Sequence, residues 1–101
     1  MVALVQAAPA AARDALAALA APLLSLPRNG EELIRTVELF LRANGSTSAA
    51  ARALFVHRNT VSYRLACVAD LCGVGVASNA ERVAWTLALV ALGRRDVLAP
   101  L

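Results

Sequence analysis

Lysine is absent from this 101-residue sequence, and histidine, cysteine and aromatic residues are rare. The single histidine, His57, excludes a histidine-based metal cluster within the chain. Cys67 and Cys72 fall about 140° apart on one expected helix, unlike a pair of zinc ligands. A glycine-rich phosphate loop, paired catalytic carboxylates and a nucleophile elbow are also missing. The sequence therefore predicts a protein that is not an enzyme and has no cofactor or metal.

Long apolar runs are missing too, although the mean hydropathy is +0.63. Much of the hydrophobic content is alanine, which accounts for 24 residues. The longest uncharged stretch has 13 residues, from Ala15 to Pro27, and Pro22 interrupts it. A membrane-spanning helix needs about 18–20 apolar residues, and the N-terminus has no basic segment ahead of an apolar one, as a signal peptide would. We therefore expect a soluble, cytoplasmic protein with no membrane partner.

The positive charge is concentrated in the middle of the chain. All ten basic residues are arginine, and the net charge is +3. The stretch from Leu39 to Ala69 contains four of the arginines and no acidic residue, so it carries +4 and the remainder −1. A local excess of this kind favours a nucleic-acid partner more strongly than the net charge does.

Alanine-rich helical patterns and few β-branched runs predict an all-α fold with about five helices. We expect an Ala-rich helical N-terminal segment at residues 1–28, which is the tail of an upstream domain or a linker. A helix-turn-helix domain at residues 29–93 and a C-terminal tail at residues 94–101 would follow. Pro22 is expected to end or kink the first helix, and Ser78 with Glu81 has the spacing of a capping box.

A short helix, a tight turn and a second helix inside the basic segment have the outline of a helix-turn-helix. The first helix is predicted over Thr47–Leu54, with Ser46 as its N-cap. In the second helix, Leu65, Val68 and Cys72 fall within about 40° of Val61 around the helix axis, and these four residues define a buried face. The opposite face carries mostly polar side chains.

The run Leu54-Phe55-Val56-His57-Arg58-Asn59-Thr60-Val61-Ser62-Tyr63-Arg64-Leu65 resembles the C-terminal helix-turn-helix of the PucR/CdaR family of bacterial transcriptional regulators. The resemblance extends over roughly residues 31 to 92. It implies a small helical domain with a Fis-like helix-turn-helix, a double-stranded DNA partner, and an upstream sensor domain in the full-length regulator. It also implies that Thr47–Leu54 is the positioning helix and Arg58–Cys72 the recognition helix. Family members often carry basic residues where this chain has Ser62, Ala66 and Cys67, which implies fewer phosphate contacts here.

The candidate DNA-binding residues surround the start of the recognition helix and are Arg52, His57, Arg58, Asn59, Thr60, Ser62, Tyr63 and Arg64. Several of them have a second interpretation. Asn59 or His57 can cap the helix, and capping is the favoured role for His57. Arg64 lies beside the core face and can equally form an intramolecular pair, and Tyr63 can pack with its hydroxyl in water.

The last helix is apolar on nearly all sides, because only Thr86 is polar between Val83 and Leu92. We expect Trp85, Leu89 and Leu92 to face a second copy in a homodimer, or the upstream domain. Burial in the domain's own core is the other interpretation. A dimer would place two recognition helices about 34 Å apart. The alternative function is a helical protein–protein interaction or dimerisation module without direct DNA reading.

Overall fold

Helices make up most of the structure, a computed structural model that describes residues 9–101. In chain order they are α1 (Ala10–Ala17), α2 (Gly30–Arg42), α3 (Thr47–Leu54), α4 (Arg58–Cys72) and α5 (Asn79–Ala91). α1 continues through a 3-10 turn (Ala18–Ala20) into one more helical turn (Ala21–Leu24), and a second 3-10 turn (Arg95–Leu98) follows α5. Residues 9–101 contain no β-strand, and the predicted all-α fold with about five helices is confirmed.

Two of the helices, α3 and α5, begin where short-range signals in the sequence predict. The Ser46 side chain accepts a hydrogen bond from the Ala49 amide (3.2 Å) at the start of α3. At the start of α5, the Ser78 hydroxyl accepts from the Glu81 amide (3.1 Å), and the Glu81 carboxylate accepts from the Ser78 amide (3.1 Å). The predicted capping box is therefore present. Hydrogen bonds from Ser78 and from the Gly75 amide hold the pKa of Glu81 below its ordinary value.

The N-terminal segment packs onto the rest of the molecule. Its first eight residues lie outside the described part of the chain. Pro22 sits in the first turn of the Ala21–Leu24 helix, just after the helical path changes, as expected for a kink. Leu23 is buried in the core. Its backbone lies so close to α2 that a Cβ atom at Gly30 would be 2.3 Å from the Leu23 carbonyl oxygen. This contact requires glycine at the start of α2.

The C-terminal residues also join the core. The Arg95–Leu98 turn contacts α2 and α5, and Val97 is buried. The Arg42 side chain at the end of α2 donates a hydrogen bond to the Ala99 carbonyl (3.1 Å). The segments predicted at residues 1–28 and 94–101 thus share one hydrophobic core with residues 29–93 where the structure describes them.

That core brings together side chains from every helix except α1, whose leucine is only half-buried against it. Its largest fully buried members are Trp85, Leu23, Ile34, Leu89, Val37, Val61 and Val68. The Trp85 indole N–H donates to the Val74 carbonyl (3.1 Å), which satisfies the polar atom of this buried ring. Within residues 9–101, the helices are too short or too polar to cross a bilayer.

The predicted interface on α5 is wrong for two of its three residues. Trp85 and Leu89 have no solvent exposure within the single chain, and Leu92 is half-buried. Val83, on the same helix, is 49% exposed. The reason is that α5 is covered on two sides, by α2 and by α1 with its 3-10 extension. Burial in the domain's own core, the other interpretation, is what the structure shows.

We expect Leu89→Ala to lower the free energy of unfolding by about 3 kcal/mol, because it leaves a cavity in the core. Val83→Ala removes atoms from a half-exposed site on the same helix, and its effect should stay below about 0.5 kcal/mol. Urea unfolding of the two variants measures the difference. Similar losses in both would contradict this arrangement of α5.

Candidate nucleic-acid interface

α3 and α4 are joined by a turn of only three residues, Phe55 to His57, and their contact fixes which side of α4 faces solvent. Both helices occupy the residues predicted for them, Thr47–Leu54 and Arg58–Cys72. Ala50 and Ala51 of α3 are buried in the same cluster as Val61 and Val68 of α4. Since Val61 and Val68 are two helical turns apart, they hold one side of α4 against the core along its length.

The exposed start of α4 presents four polar side chains, which we call the polar row: Arg58, Asn59, Ser62 and Tyr63. All four are exposed, and Tyr63 is 71% exposed. Thr60, also a candidate contact, is half-buried at the edge of the row. A hydrogen bond with Cys67, one turn later, raises the pKa of the Tyr63 phenol.

His57 is the N-cap of α4. Its Nδ1 atom accepts a hydrogen bond from the Asn59 amide at 3.0 Å. The capping role favoured for His57 is therefore present. The Asn59 side chain does not cap the helix, and it makes no hydrogen bond to another described residue, so its amide group is available to a partner.

Arg64 does not join the polar row. It is half-buried, and its guanidinium donates to the Thr36 hydroxyl at 3.5 Å and lies 3.9 Å from a Glu32 carboxylate oxygen. The intramolecular pair, one of its two interpretations, is the one that the structure contains. Arg64 therefore holds α4 against α2, while Arg52 on α3 stays exposed.

The two cysteines lie on α4, with Cys67 one turn after Tyr63 and beside the polar row, and Cys72 at the end of the helix. Both thiols are free and half-buried, and burial raises the pKa of the Cys72 thiol. Groups of three or more His, Cys, Asp or Glu side chains that could hold a metal ion do not occur among residues 9–101.

One residue of this surface was not anticipated from the sequence. Phe55, in the turn between α3 and α4, is 95% exposed and has a φ angle of 59°. Left-handed turn positions are usually marked by glycine or asparagine. Because neither residue occurs at this turn, the sequence carried no signal for it.

Residues 33–91 match the PucR C-terminal helix-turn-helix domain, which is 59 of the 101 residues. The chain belongs to this family. The resemblance stated from the Leu54–Leu65 run is therefore confirmed. The family consists of transcriptional regulators rather than enzymes, and membership supports a DNA-binding regulatory role.

Relatives of the PucR-family chain include two named regulators. The carbohydrate diacid regulator of Escherichia coli is 37% identical over 73 residues, which cover 70% of this chain and 19% of that protein. The proline-responsive transcriptional activator PutR of Bacillus subtilis is 30% identical over 64 residues, or 63% of this chain and 16% of that protein. An uncharacterized protein of Mycobacterium tuberculosis is 48% identical over 44 residues, 44% of this chain and 11% of the relative.

The chain thus spans less than a fifth of the length of these relatives. No solved structure is significantly similar to it.

The cap at His57 can be tested separately from DNA binding. His57→Ala should lower the free energy of unfolding by about 1 kcal/mol, because the Asn59 amide loses its acceptor. His57→Asn supplies another good N-cap side chain and should restore most of that loss. Urea denaturation measures both variants. Equal stability of the wild type and His57→Ala would contradict a capping role.

Proposed function

We propose that this domain binds double-stranded DNA sequence-specifically, with the start of α4 in the major groove. The observation that carries the proposal is the polar row, four exposed polar side chains at the start of a helix whose other side is buried. An α-helix fits the major groove, where each base pair presents its own pattern of donors and acceptors. In helix-turn-helix proteins, the first residues of the second helix contact those base edges.

Each residue of the row has a role that follows from its chemistry. The free amide of Asn59 matches the N6 and N7 atoms of adenine, and Arg58 matches guanine or a phosphate. Ser62 and Tyr63 can donate to phosphates or base edges. Thr60 and His57 lie at the edge of this surface, where His57 also serves as the cap.

The charge on this surface favours DNA with a modest number of phosphate contacts. No acidic residue lies between Leu39 and Ala69. Of the four arginines in this stretch, however, Arg64 is paired with Glu32 and Arg42 is bonded to the C-terminal segment. Arg52 and Arg58 remain exposed. Two or three phosphate contacts would give log K a slope of about −2 to −3 against log salt.

The rest of the regulator is inferred from the same likeness. The relatives are several times longer than this chain, and we infer an upstream sensor domain and a cytoplasmic location. A homodimer stays a prediction, now without Trp85 and Leu89 as its surface, since both are internal. The alternative function, a protein-interaction module, also depended on an apolar surface on α5, and the burial of Trp85 and Leu89 removes most of that surface.

The DNA-binding proposal can be tested with duplexes selected from a random pool by the 101-residue chain. Fluorescence anisotropy then gives the affinity for a selected duplex and for a shuffled one at several salt concentrations. Asn59→Ala should cost about 1–3 kcal/mol on the selected duplex and little on the shuffled one, because it removes base reading. Arg52→Ala should weaken both duplexes alike and reduce the salt slope by about 1.

Arg13→Ala is the matched control, since it removes the same charge from an exposed position on α1, away from α3 and α4. It should leave both affinities nearly unchanged. Absence of salt-dependent binding by the wild type, or equal losses on both duplexes for Asn59→Ala, would contradict base reading by the polar row.

A further inference from the structure

Among residues 9–101, three helices end in the same backbone pattern, and one of them uses an unusual residue. In each, a left-handed residue follows the helix, and the next amide donates back to a carbonyl five residues earlier. These bonds are Gly45 to Phe40 (3.0 Å), Val56 to Ala51 (3.0 Å) and Arg94 to Leu89 (2.9 Å). The left-handed residue is Asn44 after α2 (φ 54°), Gly93 after α5 (φ 89°) and Phe55 after α3 (φ 59°).

Asparagine and glycine are ordinary choices for this position, whereas a bulky aromatic residue there is an outlier. Packing does not explain the exception, because Phe55 is 95% exposed, more than any other large apolar residue in the described part of the chain. Leu54 and Val56 on either side are half-buried against the core. The fold therefore gains nothing from the ring, and glycine or asparagine would form the same turn with less strain.

The surroundings of Phe55 indicate what the ring contacts. It lies three residues after Arg52 and three before Arg58, both exposed, in the stretch without acidic residues. Positive charge on both sides complements a polyanion. Duplex DNA also offers apolar surface at the edge of the major groove, in the methyl groups of thymine and the carbons of deoxyribose.

We propose that Phe55 is a DNA contact, which packs its ring on this apolar surface of the duplex beside the polar row. The inference rests on the proposed function, and it adds an apolar contact to a surface otherwise made of polar and charged groups. Because the ring carries no charge, its contribution to affinity should not depend on salt.

Phe55→Gly and Phe55→Asn test the proposal, since they copy the residues at the two sister helix ends. Both variants should keep or raise the melting temperature, because the left-handed backbone becomes easier to adopt. Both should bind the selected duplex about tenfold more weakly, with the salt slope unchanged. Val83→Ala, another loss of exposed apolar surface but on α5, is the control and should leave the affinity unchanged.

A selected duplex in which every thymine is replaced by uracil separates the two apolar sources. If the ring contacts a thymine methyl, the wild type binds the uracil duplex more weakly than the thymine duplex. Phe55→Gly then binds the two duplexes with equal affinity. If the ring contacts deoxyribose, the tenfold difference between wild type and variant persists on both duplexes.

Wild-type affinity in both Phe55 variants would overturn the inference while leaving the proposed function intact. A lowered melting temperature would also overturn it, because the ring would then serve the fold. If the Phe55 variants lost self-association but kept their DNA affinity, the inference would also be overturned, because the ring would then belong to a protein interface. Failure of the wild type to bind any duplex would instead count against the proposed function itself.

Discussion

The burial of Val61 and Val68 is the constraint on which the rest of the proposed DNA-binding surface depends. The two side chains hold one side of α4 against α2 and α3 with no solvent exposure. Since successive residues of a helix turn by about 100°, this burial leaves Asn59, Ser62 and Tyr63 on the side that faces solvent. The three-residue turn before α4 then brings the start of that helix next to the end of α3. The surface is thus a consequence of core packing, with the His57 cap ordering its first turn.

Packing of the segments before and after the family match determines how large the folded domain is. The family match runs from residue 33 to residue 91, yet the core also includes Leu23, before this range, and Val97, after it. The N-terminal segment and the Arg95–Leu98 turn both pack against α5. The close approach at Gly30 shows that the N-terminal segment is fitted to α2. The folded unit is therefore longer than the helix-turn-helix and its immediate neighbours.

Features determined by a few adjacent residues were predictable from the sequence. The bounds of α3, the Ser46 cap and the Ser78–Glu81 capping box follow from local signals, and the bounds of α4 were implied by the family resemblance. Features that depend on distant partners were not. A helix that is apolar on nearly all sides gives no indication of which side is covered, so the interface assigned to Trp85 and Leu89 was wrong. Arg64 could not be assigned because its partners, Glu32 and Thr36, lie about thirty residues away. The left-handed turn at Phe55 could not be predicted, because an aromatic residue is not a turn signal.

The start of α4 and the turn before it form the surface that we propose contacts DNA. Titrating isotope-labelled protein with a selected duplex, while following each backbone amide by NMR, tests this claim most directly. We expect the largest chemical-shift changes between Phe55 and Tyr63 and near Arg52, with small changes along α1 and α5. Shift changes concentrated on α5 or α1, with the start of α4 unaffected, would contradict it.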